Sequence, residues 1–424
     1  MEQAVKQRIA DIQRGNVPAG YRKTKLGIIP ADWSTLELNS VLTENKERNR
    51  SGRFGKEDVL SVSGEFGVTN QIELLGRSFA GASVKDYHVV EAGNIVYTKS
   101  PLKDNPYGII KLNKGNAGIV STLYAVYCCK SNEVGTYLDY YFSLDQNVNN
   151  YLRPLVRKGT KNDMKINNED VLKGCVILPP ESEIAKIVEI WGCCDRVIAL
   201  KKELIAEKKK QKKSLMQKLL NPDSGFRLPG FSGEWENVIL GEIGTFAGGG
   251  TPDTKREDFW NGSIPWISSA DIDEKSFHAN IHRFVTQEAI SSSATQLCPT
   301  GTLLLVSRVG VGKVAIAQES LCTSQDFTNL TKINGNTVFY AYLLKTLLEK
   351  RAQQAQGTSI KGITVAEIKS LHLSVPRELE EQKAIADILS AADKEIDLLE
   401  QELDQQEQKK KSLMQLLLTG IVRV

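Results

Sequence analysis

Histidine and methionine are scarce in this chain, four of each in 424 residues, and cysteine occurs only seven times. The cysteines stand as Cys128-Cys129, Cys193-Cys194, Cys175, Cys298 and Cys322, with no C-x-x-C pair, so the spacing gives no zinc site. His278 and His282 lie four apart, but no glutamate follows the first to make H-E-x-x-H, which leaves them as surface histidines. No apolar run approaches the ~18 residues of a membrane span, and the start, MEQAVKQRIADIQRG, is a charged amphipathic pattern unlike a secretory signal. A cytoplasmic protein with no membrane contact is expected. A strong charge of one sign is also missing: 54 Lys and Arg face 51 Asp and Glu, a net charge of +3, so any contact with nucleic acid must be local. Catalytic sets are absent too. Gly310-Val311-Gly312-Lys313-Val314 lacks the first glycine (Ser307) and the final hydroxyl residue of a phosphate-binding loop. Asn105-Pro106-Tyr107-Gly108 is one proline short of a loop that grips a flipped adenine, and it reads as an ordinary loop. No catalytic, metal or cofactor residue is expected in this chain.

The composition that is present, 41% apolar and 25% charged, supports folding, and the length points to two globular units. The chain is one unit written twice. Lys212-Lys213-Ser214-Leu215-Met216-Gln217 returns as Lys410-Lys411-Ser412-Leu413-Met414-Gln415, an offset of 410 − 212 = 198 residues. At the same offset Gly159-Thr160 matches Gly357-Thr358; further up, and four residues off that register (235 − 33 = 202), Trp33-x-x-x-x-Leu38 is mirrored by Trp235-x-x-x-x-Leu240. Each half is a mixed globular segment followed by a charged helix.

The helices carry the clearest pattern, apolar positions at alternating steps of three and four. One seam is Ile184, Ile187, Trp191, Cys194, Ile198, Lys201, Ile205, Lys208, Lys212, Leu215 and Leu219; the other is Ile385, Leu389, Ala392, Ile396, Leu399, Leu403, Gln406, Lys410, Leu413 and Leu417. The two share a phase under the repeat offset at every position from Ile187 onward. Seven lysines lie between Lys201 and Lys213, and seven acidic residues between Asp393 and Glu407, so unlike helices are expected to pair. Two other readings stay open: a solvated face on each helix, or a lysine run that grips a phosphate backbone.

Within the globular segments, Gly93 to Tyr97, Trp266-Ile267 and Leu303 to Val306 read as strands, and Thr136 to Asn150 and Val338 to Arg351 as helices.

Lys25-Leu26-Gly27-Ile28-Ile29-Pro30-Ala31-Asp32-Trp33 resembles the entry to the first target-recognition domain of type I restriction-modification specificity subunits. Gly248-Gly249-Gly250-Thr251-Pro252 with Trp260-x-Gly262-x-Ile264-Pro265-Trp266 looks like the opening of the second, and Pro376-x-x-x-x-Glu381-Gln382 with Lys411-Ser412-Leu413-Met414-Gln415 like the end of the family's helical region. The first half departs from the pattern: it has no Gly-Gly-Thr-Pro loop, and Glu181-Ser182-Glu183 replaces the Glu-Gln pair. The resemblance implies a mixed α/β (α+β) fold with a pseudo-twofold repeat and an antiparallel coiled coil. Its parts would be an N-terminal helical segment at 1–24, target-recognition domains at 25–180 and 222–376, and helices at 181–221 and 377–424. It also implies a non-catalytic subunit that binds double-stranded DNA, two methyltransferase subunits and restriction/translocase subunits, with S-adenosylmethionine and ATP/Mg held by those partners.

Base reading needs forked donors on loops, with hydroxyls and lysines on phosphates. In the second half these are Thr251, Lys255, Arg308, Lys313, Gln325, Gln356, Thr358, Ser359 and Lys361; in the first, Lys99, Lys103, Tyr107, Arg157, Lys158, Thr160 and Lys161. Plain hairpin turns are the competing explanation of the same glycine-flanked loops. An autonomous methyltransferase and a coiled-coil scaffold without DNA contact remain as rival functions.

Overall fold

Ile95–Thr98 and Leu303–Val306 are strands in which every residue is buried. A strand covered on both faces has no polar side to alternate with, which is why each reads as an unbroken apolar run. Each is an inner strand of a four-stranded antiparallel sheet. The first sheet runs Leu42–Glu44, Tyr124–Cys129, Ile95–Thr98, Ile109–Leu112. The second runs Thr245–Gly248, Phe327–Thr331, Leu303–Val306, Val314–Ile316. In chain order both are first, fourth, second, third, so the duplication seen in sequence is a duplication of topology.

The computed structural model describes residues 3–158, 164–273, 276–354 and 362–424. It divides into two units, Met1–Leu200 with Asp404–Val424, and Lys201–Leu403. In the first unit Ile95 and Tyr97 face Tyr137 and Leu138 of the helix Asn132–Ser143, while Val96 packs with Leu60, Val90 and Val120 on the other side. In the second, Leu303 and Leu305 face Phe339 and Leu343 of the helix Thr337–Gln354, while Leu304 and Val306 join Ile267 and Leu321. The period of two is thus present, with both faces apolar.

Local chemistry fixes the ends of these helices. The Ser131 hydroxyl accepts the Val134 N–H at 3.2 Å, and the Asn336 side chain accepts the Phe339 N–H at 2.9 Å. The helix expected over Thr136 to Asn150 is two, Asn132–Ser143 and Asp145–Leu152, with Leu144 extended between them. The Asn147 amide donates to the Tyr141 carbonyl at 3.0 Å and competes with the helical ladder there. Among the described residues of the N-terminal segment the helix covers Gln3–Gln13, and Tyr21–Thr24 pairs as a strand with Gly27–Pro30.

The long helices are Glu181–Leu219 and Leu379–Leu418, of 39 and 40 residues. At ~1.5 Å per residue each spans roughly 60 Å. Every seam residue named above is buried or half-buried. Ile184, Ile187 and Trp191 enter the core of the first unit with Met414 and Leu417; Leu219 enters that of the second with Ile385 and Leu389. Lys201 pairs with Glu402 at 2.6 Å and Lys212 with Asp393, so rising numbers on one helix meet falling numbers on the other and the pair is antiparallel. Lys208–Glu395 and Lys209–Glu400, both at 2.6 Å, continue the series, and Lys410–Asp195 forms in the first unit. The lysine-rich and acid-rich segments meet as their charges require.

Glu183 settles how the two repeats correspond at the helix start. It lies 198 residues before Glu381 and is buried like it. Arg423 forks onto Glu183 (Nε–Oε1 2.7 Å, Nη2–Oε2 2.8 Å), and Arg227 onto Glu381 (2.7 Å for both bonds). The Trp33 indole adds a third donor to Glu183 at 2.9 Å. Gly420 has φ +66° and a Cβ there would strike Pro30, so glycine is required where the C-terminal segment closes on the first unit.

Candidate nucleic-acid interface

In the second unit an open groove of about 940 Å³ gathers three loops that are far apart in sequence. Gly248 and Gly249 continue the sheet's edge strand, Ser307 to Val311 form the turn between Leu303–Val306 and Val314–Ile316, and Gln325 precedes Phe327–Thr331. Gly362 to Val365 form a further wall. Arg308 and Gln325 are exposed on the groove, and the Thr251 hydroxyl donates to the Gln325 side-chain oxygen. Arg308 has no ion-pair partner among the described residues. Lys255 is exposed after a turn in which its N–H donates to Asp253 at 2.9 Å, and Lys313 is half-buried at the end of the 307–313 turn.

The glycines have specific reasons. Gly310 and Gly312 have φ +88° and +104°, a left-handed backbone that admits the tight turn. A Cβ on Gly249 would collide with the Ser324 carbonyl, and the Gly250 carbonyl accepts both the Trp266 indole (2.9 Å) and the Thr295 hydroxyl (2.8 Å). Gly249 and Gly250 therefore serve close packing, whereas Gly248 faces open space.

The matching place in the first unit is furnished differently. Lys99, at the end of Ile95–Thr98, donates to the Asn168 side-chain oxygen at 2.6 Å, and Asn168 donates in turn to Glu44 at 2.7 Å. Lys46 bridges Glu169 (2.8 Å) and Glu44 (3.6 Å). That contact holds the Glu169 carboxyl below the usual carboxylate range and pulls Lys46 up, by the hydrogen bond first and the Coulomb attraction second. Asn168 opens the short helix Asn168–Val171 as Val365 opens Val365–Lys369 in the second unit. Glu44, Lys46 and Asn168, and Thr328 and Thr364 in the groove, are not among the residues singled out in the sequence, where no local pattern marks them.

Of the other expected residues, Lys103 and Arg157 are exposed, and Tyr107 is half-buried against the core of the first unit, its carbonyl accepting the Tyr97 hydroxyl at 2.9 Å. Arg157 and Lys158 form a strand paired with Met164–Lys165. Thr160, Lys161, Gln356, Thr358, Ser359 and Lys361 lie outside the described residues. Among the described residues no group of three or more His, Cys, Asp or Glu side chains could hold a metal ion, and no helix is long and apolar enough to cross a membrane.

Comparison with known proteins adds to this geometry. The model of the type I restriction modification DNA specificity domain matches residues 232–408. The type I restriction enzyme MjaIX specificity subunit of Methanocaldococcus jannaschii is 34% identical over 179 residues, 41% of this chain and 40% of that protein. The EcoR124I/EcoR124II specificity subunit of Escherichia coli is 33% identical over 227 residues, 50% of this chain and 53% of that one. The chain thus spans about half the length, or less, of these curated relatives. A chain solved in work on complex assembly and conformational transition of the type I R-M system matches with a TM-score of 0.57 at 20% identity, over 93% of this chain and 98% of that one, a likeness of fold.

Proposed function

We propose that this chain, whose residues 232–408 match the type I restriction modification DNA specificity domain, is the non-catalytic DNA-reading component of a type I restriction-modification complex. Each half reads one part of a bipartite target. The domains are 25–180 and 222–376, joined by the helices at 181–221 and 377–424, which set the interval between the half-sites and offer the docking platform for two methyltransferase subunits. Restriction subunits join that assembly, and S-adenosylmethionine, ATP and Mg belong to the partners. The observation that carries this reading is the groove in the second unit, where Arg308, Gln325 and Thr251 sit on loops from one edge of the sheet. Arg and Gln are the forks that read guanine and adenine edges, and Thr serves either a base or a phosphate. The matching edge of the first unit carries Lys99, Lys46 and Asn168 instead, which supports two different words and an asymmetric target.

The test is a mobility shift with the methyltransferase partner present, on DNA carrying the methylated sequence mapped in the source genome and on a scrambled control. Discrimination between the two supports the reading. Equal or no binding leaves a coiled-coil scaffold, and binding of the methyl donor by the isolated chain would make it an autonomous methyltransferase.

A further inference from the structure

One carboxylate in each unit is shared by three elements. In the second unit the Tyr342 hydroxyl, on the helix Thr337–Gln354, donates to Asp393 Oδ2 at 2.6 Å, while Lys212 of the other long helix pairs with Oδ1 of the same aspartate. The Lys212 ammonium lies 5.5 Å from the centre of the Tyr342 ring, and Phe277 packs edge-on against that ring at 4.7 Å. In the first unit the Tyr140 hydroxyl, on Asn132–Ser143, donates to Asp195 Oδ2, and Lys410 pairs with Asp195 Oδ1 while lying 5.3 Å from the Tyr140 ring centre. Here Trp191 takes the place of Phe277 as the ring's neighbour, at 4.6 Å. The helices exchange roles: the central helix supplies the aspartate in the first unit and the lysine in the second, and the C-terminal helix does the reverse.

An ordinary interhelical ion pair does not need a tyrosine from the globular body, and an ordinary buried tyrosine does not need a carboxylate already held by a cation. Both tyrosines are largely buried and each hydroxyl is aimed at its aspartate, with the Ser390 side chain also within hydrogen-bond reach of Tyr342. Hydrogen bonds to a charged acceptor are directional and strong, so the aspartate fixes the pitch of the globular body on the helix pair, and the lysine fixes the aspartate.

We propose that Tyr140–Asp195–Lys410 and Tyr342–Asp393–Lys212 are positioning clamps that set the angle of each DNA reader on its helices, and so the strictness with which the gap between half-sites is measured. The clamps touch no base. This inference rests on the bipartite reading above.

The test uses the full chain with its methyltransferase partner on a DNA library in which both half-site words are kept and the gap is varied by one or two base pairs either way. Tyr342→Phe and Tyr140→Phe, made separately, should keep the words and raise methylation at wrong gaps relative to the native gap by roughly tenfold, the loss of one hydrogen bond to a charged group. Asp393→Asn leaves the tyrosine an acceptor while removing the charge that holds Lys212, and should give a smaller rise; it also serves if a tyrosine variant does not fold. Val120→Ala, a sheet-core change remote from the clamps, should lower stability without altering the gap ratio. An unchanged ratio in the tyrosine variants, or a uniform loss at all gaps, overturns the proposal. If the unaltered protein shows no preference for any word or gap, the bipartite reading fails instead.

Discussion

Replacing Arg227 with methionine removes the partner of a carboxylate that has almost no access to water. Glu381 is 1% exposed and is held by two parallel bonds of 2.7 Å from the Arg227 guanidinium. Breaking a buried pair from one side costs ~3–5 kcal/mol, because the remaining charge is left desolvated. Here the Arg227 side chain is 30% exposed, so water can enter where the guanidinium was, and about 2–3 kcal/mol is the expected loss. For a unit of this size that corresponds to a fall in Tm of about 4–12 °C, read by calorimetry. The companion variant Arg227→Met/Glu381→Gln carries the decisive comparison. A neutral amide needs no counter-charge, so the double variant should regain about 1 kcal/mol or more over the single one. Arg423→Met should cost less per lost bond to Glu183, since the Trp33 indole still donates to that carboxylate at 2.9 Å. A single variant within ~0.5 kcal/mol of the parent, or a double variant no better than the single, would refute the argument that an orphaned buried charge sets the cost.

Acidification should weaken the first unit through His88, which is 2% exposed and whose imidazole is pushed down to about 4 by burial first and by Arg48 second. The neutral form is favoured in the folded state, so its contribution is complete above the unfolded value of ~6.5 and is lost as pH falls from there toward 4. About 2 kcal/mol should be gone by about pH 5, and denaturant titrations of His88→Gln should show a flatter slope between those limits, since the other three histidines are exposed. Arg308→Ala should cost about 1–3 kcal/mol on the cognate site and relax one base position, whereas Lys161→Ala should weaken all sequences alike; equal behaviour of both in a binding series would undo the assignment. One seven-residue heptad added to each long helix keeps the seam in phase and should lengthen the methylated site's gap by about 10 Å, or roughly three base pairs. An unchanged gap in methylation mapping would count against the helices as the ruler.

Periodicity was legible in the sequence, and long-range polar geometry was not. The helical seams and the paired charges of Lys201–Lys213 and Asp393–Glu407 follow from residue order on one face of a helix, so both are present as expected. The buried strands Ile95–Thr98 and Leu303–Val306 announced themselves as apolar runs. By contrast, the Glu44–Asn168–Lys99 network joins residues 55 and 69 positions apart (99 − 44 and 168 − 99), and nothing local to any of them signals the others. Glu183 was obscured by motif matching: the Glu-Gln pair suggested a departure in the first half, yet the repeat offset places Glu183 on Glu381, and each holds an arginine. The Gly248-Gly250 loop was recognisable as a turn, but the close approach of Ser324 that forces glycine at 249 depends on the sheet.

Divergence between the two repeats follows the same division. Elements that need both copies to agree do agree: the strand order, the helix seam, the arginine fork on a buried glutamate and the tyrosine–aspartate–lysine junction occur in each unit. All of these bear on the long helices or on the sheet that supports the loops. The loops themselves differ, an open groove with Arg308 and Gln325 in one unit and a cross-linked Lys99–Asn168–Glu44 cluster in the other. On the proposed bipartite reading, a duplicated framework carrying unlike loops can change a word without changing the interval. Exchange of the 307–313 turn with that of another such protein should therefore alter the bases read in one half-site while leaving the other half-site and the gap as they were. A shift of the gap in that chimera would show that the loops and the interval are coupled through the sheet.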